Sequence, residues 1–140
     1  MATISNIADQ LRRDEGTRLK PYTDSVGKLT IGVGRNLTDK GITQDEANAL
    51  LAGDIESARQ ELYQNLPWTI NLDEVRRGVL VNMTFNLGIG GLLQFKNTLA
   101  HIQKGEWENA AADMLVSKWA EQVGPRAHRL ALQVTSGVWQ

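Results

Sequence analysis

The sequence predicts an α+β fold of two lobes, a small β-hairpin lobe and a larger all-helical lobe joined by one long helix. Three observations predict it. Apolar and small residues alternate strictly in one stretch, Leu29 to Gly34; a helix with a clear start signal runs from Thr43 to about Gln64; and everything after Leu66 keeps helical spacing. The small lobe is expected at about residues 13–43, the connecting helix at about 44–64, and the helical lobe at about 66–140 together with a first helix at 3–14.

The first helix rests on Ile4, Ile7, Ala8 and Leu11, spaced i, i+3, i+4, i+7, with Gly16 as its left-handed stop. Next, Lys20 to Asp24 and Lys28 to Gly34 read as a β-hairpin about a turn at Ser25-Val26-Gly27. If that turn centres near Gly27, Asp24 faces Thr30 across the ladder, both on the bare face that Gly32 and Gly34 share. A weaker hairpin or loop follows from Asn36 to Gly41. Thr43-Gln44-Asp45-Glu46 is a capping box, and Ala47, Leu50, Leu51, Ile55, Ala58 and Leu62 continue a helix from it. A helix of that length is a rod of roughly 30 Å, enough to join two lobes with a cleft between them.

Pro67 breaks the rod and Asp73 caps the next helix, whose Val75, Val79, Leu80, Val81, Met83, Phe85 and Leu87 mark it as the buried centre of the helical lobe. Gly88-Ile89-Gly90-Gly91 ends that helix; with no strand before it and no lysine and serine after it, the run is a helix stop and not a phosphate loop. Helices are expected around Thr98–Lys104, Glu106–Val116 and Pro125–Ser136, with Pro125 in the favoured first turn. Trp68, Trp107, Trp119 and Trp139 could stack on sugars, but tryptophans in a helical lobe more often fill its core.

With 140 residues the chain suits one domain able to bury a sizeable core. Fifteen basic residues against 16 acidic ones leave a net charge of −1, which argues against a nucleic-acid or anionic-membrane surface. The absence of cysteine excludes disulfides and thiolate metal sites, and two isolated histidines, His101 and His128, argue against a metal centre. Polar residues interrupt Met1 to Gln10, unlike a signal peptide, and no span is apolar enough to cross a membrane. A soluble protein, cytoplasmic where it is made, with no cofactor, is the expectation.

Asp14 and Glu15 fall at the C-terminus of the first helix, where exposed carbonyls disfavour negative charge. That is a poor place for a structural acid and a good one for a proton donor. Alone, the pair reads better as solvated surface acids neutralised by Arg12, Arg13 and Arg18. Asp24 and Thr30 alter the balance. Glycoside hydrolysis needs a protonated carboxyl group on one side of the scissile bond and a carboxylate on the other, and Glu15 and Asp24 can form that pair. Thr30 could hold a water against Asp24, since a hydroxyl donates and accepts at once.

The run Leu11-Arg12-Arg13-Asp14-Glu15-Gly16-Thr17-Arg18-Leu19-Lys20, then Tyr22, Asp24, Gly27 and Thr30 to Gly34, resembles the active-site segment of phage-type lysozymes, glycoside hydrolase family 24. The resemblance continues in order through Glu46-Ala47, Asp73 to Arg77, Asn82 to Asn86, Trp107, Ser117-Lys118-Trp119, Pro125-Arg126-Ala127 and Gly137-Val138-Trp139. It implies a lysozyme-like fold and cleavage of the β-1,4 bond between N-acetylmuramic acid and N-acetylglucosamine, for host lysis. By position it makes Glu15 the general acid, Asp24 the second carboxylate and Thr30 the partner of the water. It also places Arg126 near Glu15, and Phe85, Asn86, Ser117 and Lys118 along the substrate wall. The family's inverting chemistry suits carboxyl groups roughly 6.5–9.5 Å apart. The implied protein is a monomer that acts on peptidoglycan glycan strands, binds no nucleic acid, inserts in no membrane, and waits in the host cytoplasm for a holin to open the way to the wall.

Two departures stand out. Arg35 occupies a position where many relatives carry histidine, so it is either a substitute fixed cation or a surface charge. The loop between Asn36 and Thr43 is also shorter than in larger relatives, which predicts a shallower cleft. Three other readings compete: a lytic transglycosylase, which has no use for Asp24 and Thr30; a non-catalytic wall-binding protein of the same fold; and a helix-turn-helix DNA binder, suggested only by Arg76-Arg77 and by Arg126 with Arg129.

Overall fold

The computed structural model describes residues 4–140; Thr3 lies outside them, but the expected first helix starts later than read, at Ile7, because extended Asn6 caps it and leaves Ile4 before the helix. The elements run α1 (Ile7–Glu15), β1 (Arg18–Thr23), β2 (Leu29–Gly32), β3 (Arg35–Asn36), α2 (Gln44–Asn65), a 3-10 turn (Pro67–Asn71), α3 (Glu74–Leu93), α4 (Lys96–Gln103), α5 (Trp107–Leu115), α6 (Lys118–Val123) and α7 (Pro125–Ser136). This is the expected α+β fold. The chain divides into two units after Ala49.

In the first unit Asn6 caps α1 by accepting the Asp9 N–H, and Gly16, at φ 74°, ends the helix with its N–H on the Arg12 carbonyl. Gly16 then continues extended, a combination of dihedrals that suits only glycine and turns the chain straight into β1. The three strands form an antiparallel meander in the order β1-β2-β3. The register differs from expectation. Tyr22 pairs with Thr30 and Thr23 with Leu29, and the Asp24 N–H bonds the Lys28 carbonyl, so the turn centres on Val26. Moving the centre by one position shifts the pairing by two residues; Asp24 therefore lies diagonal to Thr30 and keeps the same face. The expected loop after Asn36 starts from a true strand, β3, whose pairing with β2 is extended by the Leu37 N–H on the Leu29 carbonyl.

The capping box forms as read: the Thr43 N–H donates to Glu46 Oε1 at 2.9 Å and the Glu46 N–H to Thr43 Oγ1 at 3.1 Å. It starts α2, 22 residues long. In the second unit α7 packs on α3, α5 and α6, and α5 on α4. Leu62, Val79, Leu80, Met83, Leu92, Ile102, Ala110, Met114 and Val134 form its core. Gly88, at φ 75° and ψ 162°, breaks α3 where the glycine run predicts a stop, and the last residues of α3 resume as a helix in a new direction.

Two short elements escape the periodicity reading, the 3-10 turn and α6, because five or six residues hold too few apolar positions to show a period. Phe85, expected in the buried centre, is 47% exposed. Of the tryptophans, Trp119 is buried and meets Phe95 edge to face, Trp68 and Trp107 are half-buried against the core, and Trp139 is exposed over Gly78. Arg76 donates to the Val134 and Thr135 carbonyls and lies over the Trp107 ring, while Arg77 donates to the carbonyls of Ile70 and Leu72. These two arginines close helix ends within the unit. Among the described residues no single helix is long and apolar enough to cross a membrane.

Candidate active site

Glu15, Asp24 and Thr30 fall in the same unit, on α1, on the hairpin turn and on β2. Asp24 is held by its own turn: Oδ1 accepts the Val26 N–H at 2.9 Å and the Lys28 N–H at 2.8 Å. This Asx-type closure leaves Oδ2 without a hydrogen bond among the described residues. Thr30, 4% exposed, is the one buried residue among those described in the unit. Its hydroxyl donates to the Lys28 carbonyl at 3.0 Å, so its lone pairs are what it can offer a water.

Glu15 is the last residue of α1, and its neighbours on that helix are already paired. Arg12 binds Asp9 at 3.1 Å, Arg13 binds Asp14 at 2.9 Å, and the Arg18 guanidinium lies over the Tyr22 ring at 4.7 Å. Asp14 thus behaves as the neutralised surface acid, whereas Glu15 forms no ion pair among the described residues of its unit. The Glu15 carboxyl rests instead on Gly34: a Cβ built there would sit 3.3 Å from Oε2. Gly34 has φ +75°, so its bare, left-handed backbone is what lets the acid approach.

Sequence reasoning missed Gly34 in this seat and Glu46 as the partner of Arg35. The Arg35 fork meets both Glu46 oxygens, Nη1 to Oε1 and Nη2 to Oε2 at 2.8 Å each, and Nη1 also donates to the Gly41 carbonyl at 3.2 Å. Arg35 is therefore a fixed cation. Its hydrogen bonds, joined by the Thr43 N–H, lower the Glu46 carboxyl from 4.5 to about 2. The only hint in the sequence was the glutamate of the capping box, which already had a partner.

The expected substrate residues all lie in the second unit. Asn86 Oδ1 accepts the Trp119 indole N–H at 2.9 Å, and Ser117 caps α6 while donating to the Met114 carbonyl at 2.6 Å. Lys118, the first residue of α6, is exposed. Arg126 donates twice to Asn82 Oδ1, at 3.2 and 2.7 Å. A groove of about 610 Å³ joins Phe85, Asn82 and Arg126 with Leu51, Ile55, Tyr63, Val81 and Trp139. Its single acid, Glu74, has no second carboxylate beside it, so the groove has no pair for acid and base work. Among the described residues no cluster of three His, Asp or Glu could hold a metal ion.

A family model described as phage lysozyme matches residues 12–133. Known proteins similar to the chain include a probable T4-type lysozyme 1 of Dictyostelium discoideum, 29% identical over 96% of each chain. The pre-baseplate central spike protein Gp5 of enterobacteria phage T4 is 30% identical over 94% of this chain, which spans only 28% of that protein. An endolysin of Salmonella phage P22 is 32% identical over 63% of this chain and 64% of its own.

Proposed function

The chain belongs to the phage lysozyme family, and from that premise we propose that it hydrolyses the β-1,4 bond between N-acetylmuramic acid and N-acetylglucosamine in peptidoglycan. Glu15 donates its proton to the leaving glycosidic oxygen. Asp24 Oδ2, the oxygen its own turn leaves free, takes a proton from the attacking water. Thr30, whose proton is committed to the Lys28 carbonyl, accepts the water's other hydrogen. With both hydrogens held, the water turns a lone pair to the anomeric carbon, and attack opposite the leaving group inverts configuration.

The observation that carries this reading is the Glu15 carboxyl group seated on the bare backbone of Gly34 with no ion pair among the described residues of its unit, together with an Asp24 that its own turn holds by one oxygen only. Phe85 and Lys118, exposed and uncommitted, serve the glycan strand directly. Asn86, Ser117 and Arg126 are tied to protein partners and shape the wall that meets it. The protein acts as a monomer in host lysis, held in the cytoplasm until a holin admits it to the wall.

Digestion of defined peptidoglycan with purified protein, followed by mass spectrometry of the released ends, tests the bond and the reaction. Reducing N-acetylmuramic acid ends are expected. Anhydro ends would transfer the assignment to a lytic transglycosylase, and binding without cleavage to a wall-binding protein. Glu15→Gln is expected to leave the melting temperature unchanged and to abolish cleavage; an active Glu15→Gln protein refutes the choice of acid.

A further inference from the structure

We propose that Arg35 is a positioning residue for the Glu15 carboxyl group, acting through Gly34. The proposal rests on Glu15 being the proton donor. β3 has only two residues and pairs only with β2, a short ladder that the Leu37 N–H on the Leu29 carbonyl extends by one bond. Its first residue is Arg35, and the residue before it is the glycine on which Glu15 rests. What ties this short strand to the start of α2 is the forked pair of 2.8 Å contacts from Arg35 to Glu46, with the Gly41 carbonyl closing the loop between them. The same Glu46 carboxylate accepts the Thr43 N–H that begins α2. One carboxylate therefore ties a helix start to the strand that carries the seat of the acid.

The fork matters because lysine, a point charge on a flexible stem, cannot meet both oxygens in one plane. Gly34 has no side chain with which to fix itself, and its left-handed backbone is held from the next residue onward by the clamp. If the clamp opens, the surface beneath Glu15 moves. A displacement of ~1 Å at a proton donor costs about 10²-fold in rate while leaving the substrate's other contacts in place. The loss should therefore appear in kcat and not in KM.

The test is steady-state kinetics on soluble glycan fragments of defined peptidoglycan, with thermal unfolding recorded for every variant. Arg35→Ala should lose about 10- to 100-fold in kcat with KM within about twofold of the parent. Arg35→Lys should recover part of the loss. Glu46→Gln should lose kcat similarly, and the double variant should be no slower than Arg35→Ala, because both changes open one clamp. Glutamine also serves a capping box, so Glu46→Gln keeps the helix start and decides the matter if Arg35→Ala does not fold. Unchanged kcat in a folded clamp variant, a loss confined to KM, or losses that multiply in the double variant would overturn the proposal. Glu15→Gln in the same assay separates the two assignments: if it keeps full kcat the acid is wrong, whereas an inactive Glu15→Gln beside a fully active Arg35→Ala refutes the positioning role alone.

Discussion

On the proposed reading Asp24 divides its carboxylate between structure and chemistry, and the division can be tested by changing one atom. Oδ1 accepts two backbone N–H groups and shapes the turn, while Oδ2 is left for the water. Asparagine retains a carbonyl oxygen for both turn bonds but offers an amide where the base should be. Asp24→Asn is therefore expected to unfold at nearly the parental temperature and to lose about 10²- to 10⁴-fold in kcat. Equal losses in stability and rate would place Asp24 in the architecture and not the chemistry. Thr30 offers the complementary case. Valine fills the same buried volume but leaves the Lys28 carbonyl without its donor, so Thr30→Val should cost about 1 kcal/mol of stability together with a larger loss of rate. A variant of normal rate would remove Thr30 from the water site.

At the scale of elements, the junction between β3 and α2 carries a forked ion pair, and acid tests what that pair contributes. Glu46 has its carboxyl lowered from 4.5 to about 2, first through the hydrogen bond from Arg35. A depressed carboxylate adds stability that is fully present above its unfolded value, near pH 4.5, and is lost as pH falls through about 2. Acid titration of stability should show the difference between the parent and Arg35→Ala shrinking across that window. A difference independent of pH would mean that the pair contributes through packing alone.

Across the whole molecule, burial is uneven. The clustered apolar core belongs to the residues after Ala49, whereas among the described residues before it only Thr30 is buried. The first unit is held by caps, a meander and solvent-exposed ion pairs, without a clustered apolar core. Amide hydrogen exchange should accordingly find β1, β2 and β3 opening locally at lower free energy than α3 and α7. Uniform protection would contradict this reading. Met83, fully buried, is the converse: Met83→Ala should cost about 2–5 kcal/mol and lower the melting temperature without altering the pairing of the hairpin. Local sequence by itself determined the helix interiors and glycine stops, the single β region and the capping box at Thr43, and it supplied Glu15, Asp24 and Thr30 as the candidates for the proposed chemistry, because each depends on neighbours within a turn or two of chain. Only the tertiary structure decided the rest. A turn centred on Val26 or on Gly27 uses the same residues, so only the assembled ladder could choose between them. Arg35 finds Glu46, and Glu15 finds Gly34, across a fold that brings a strand, a helix start and a helix end together, and no periodicity in the chain records which charge will meet which carboxylate.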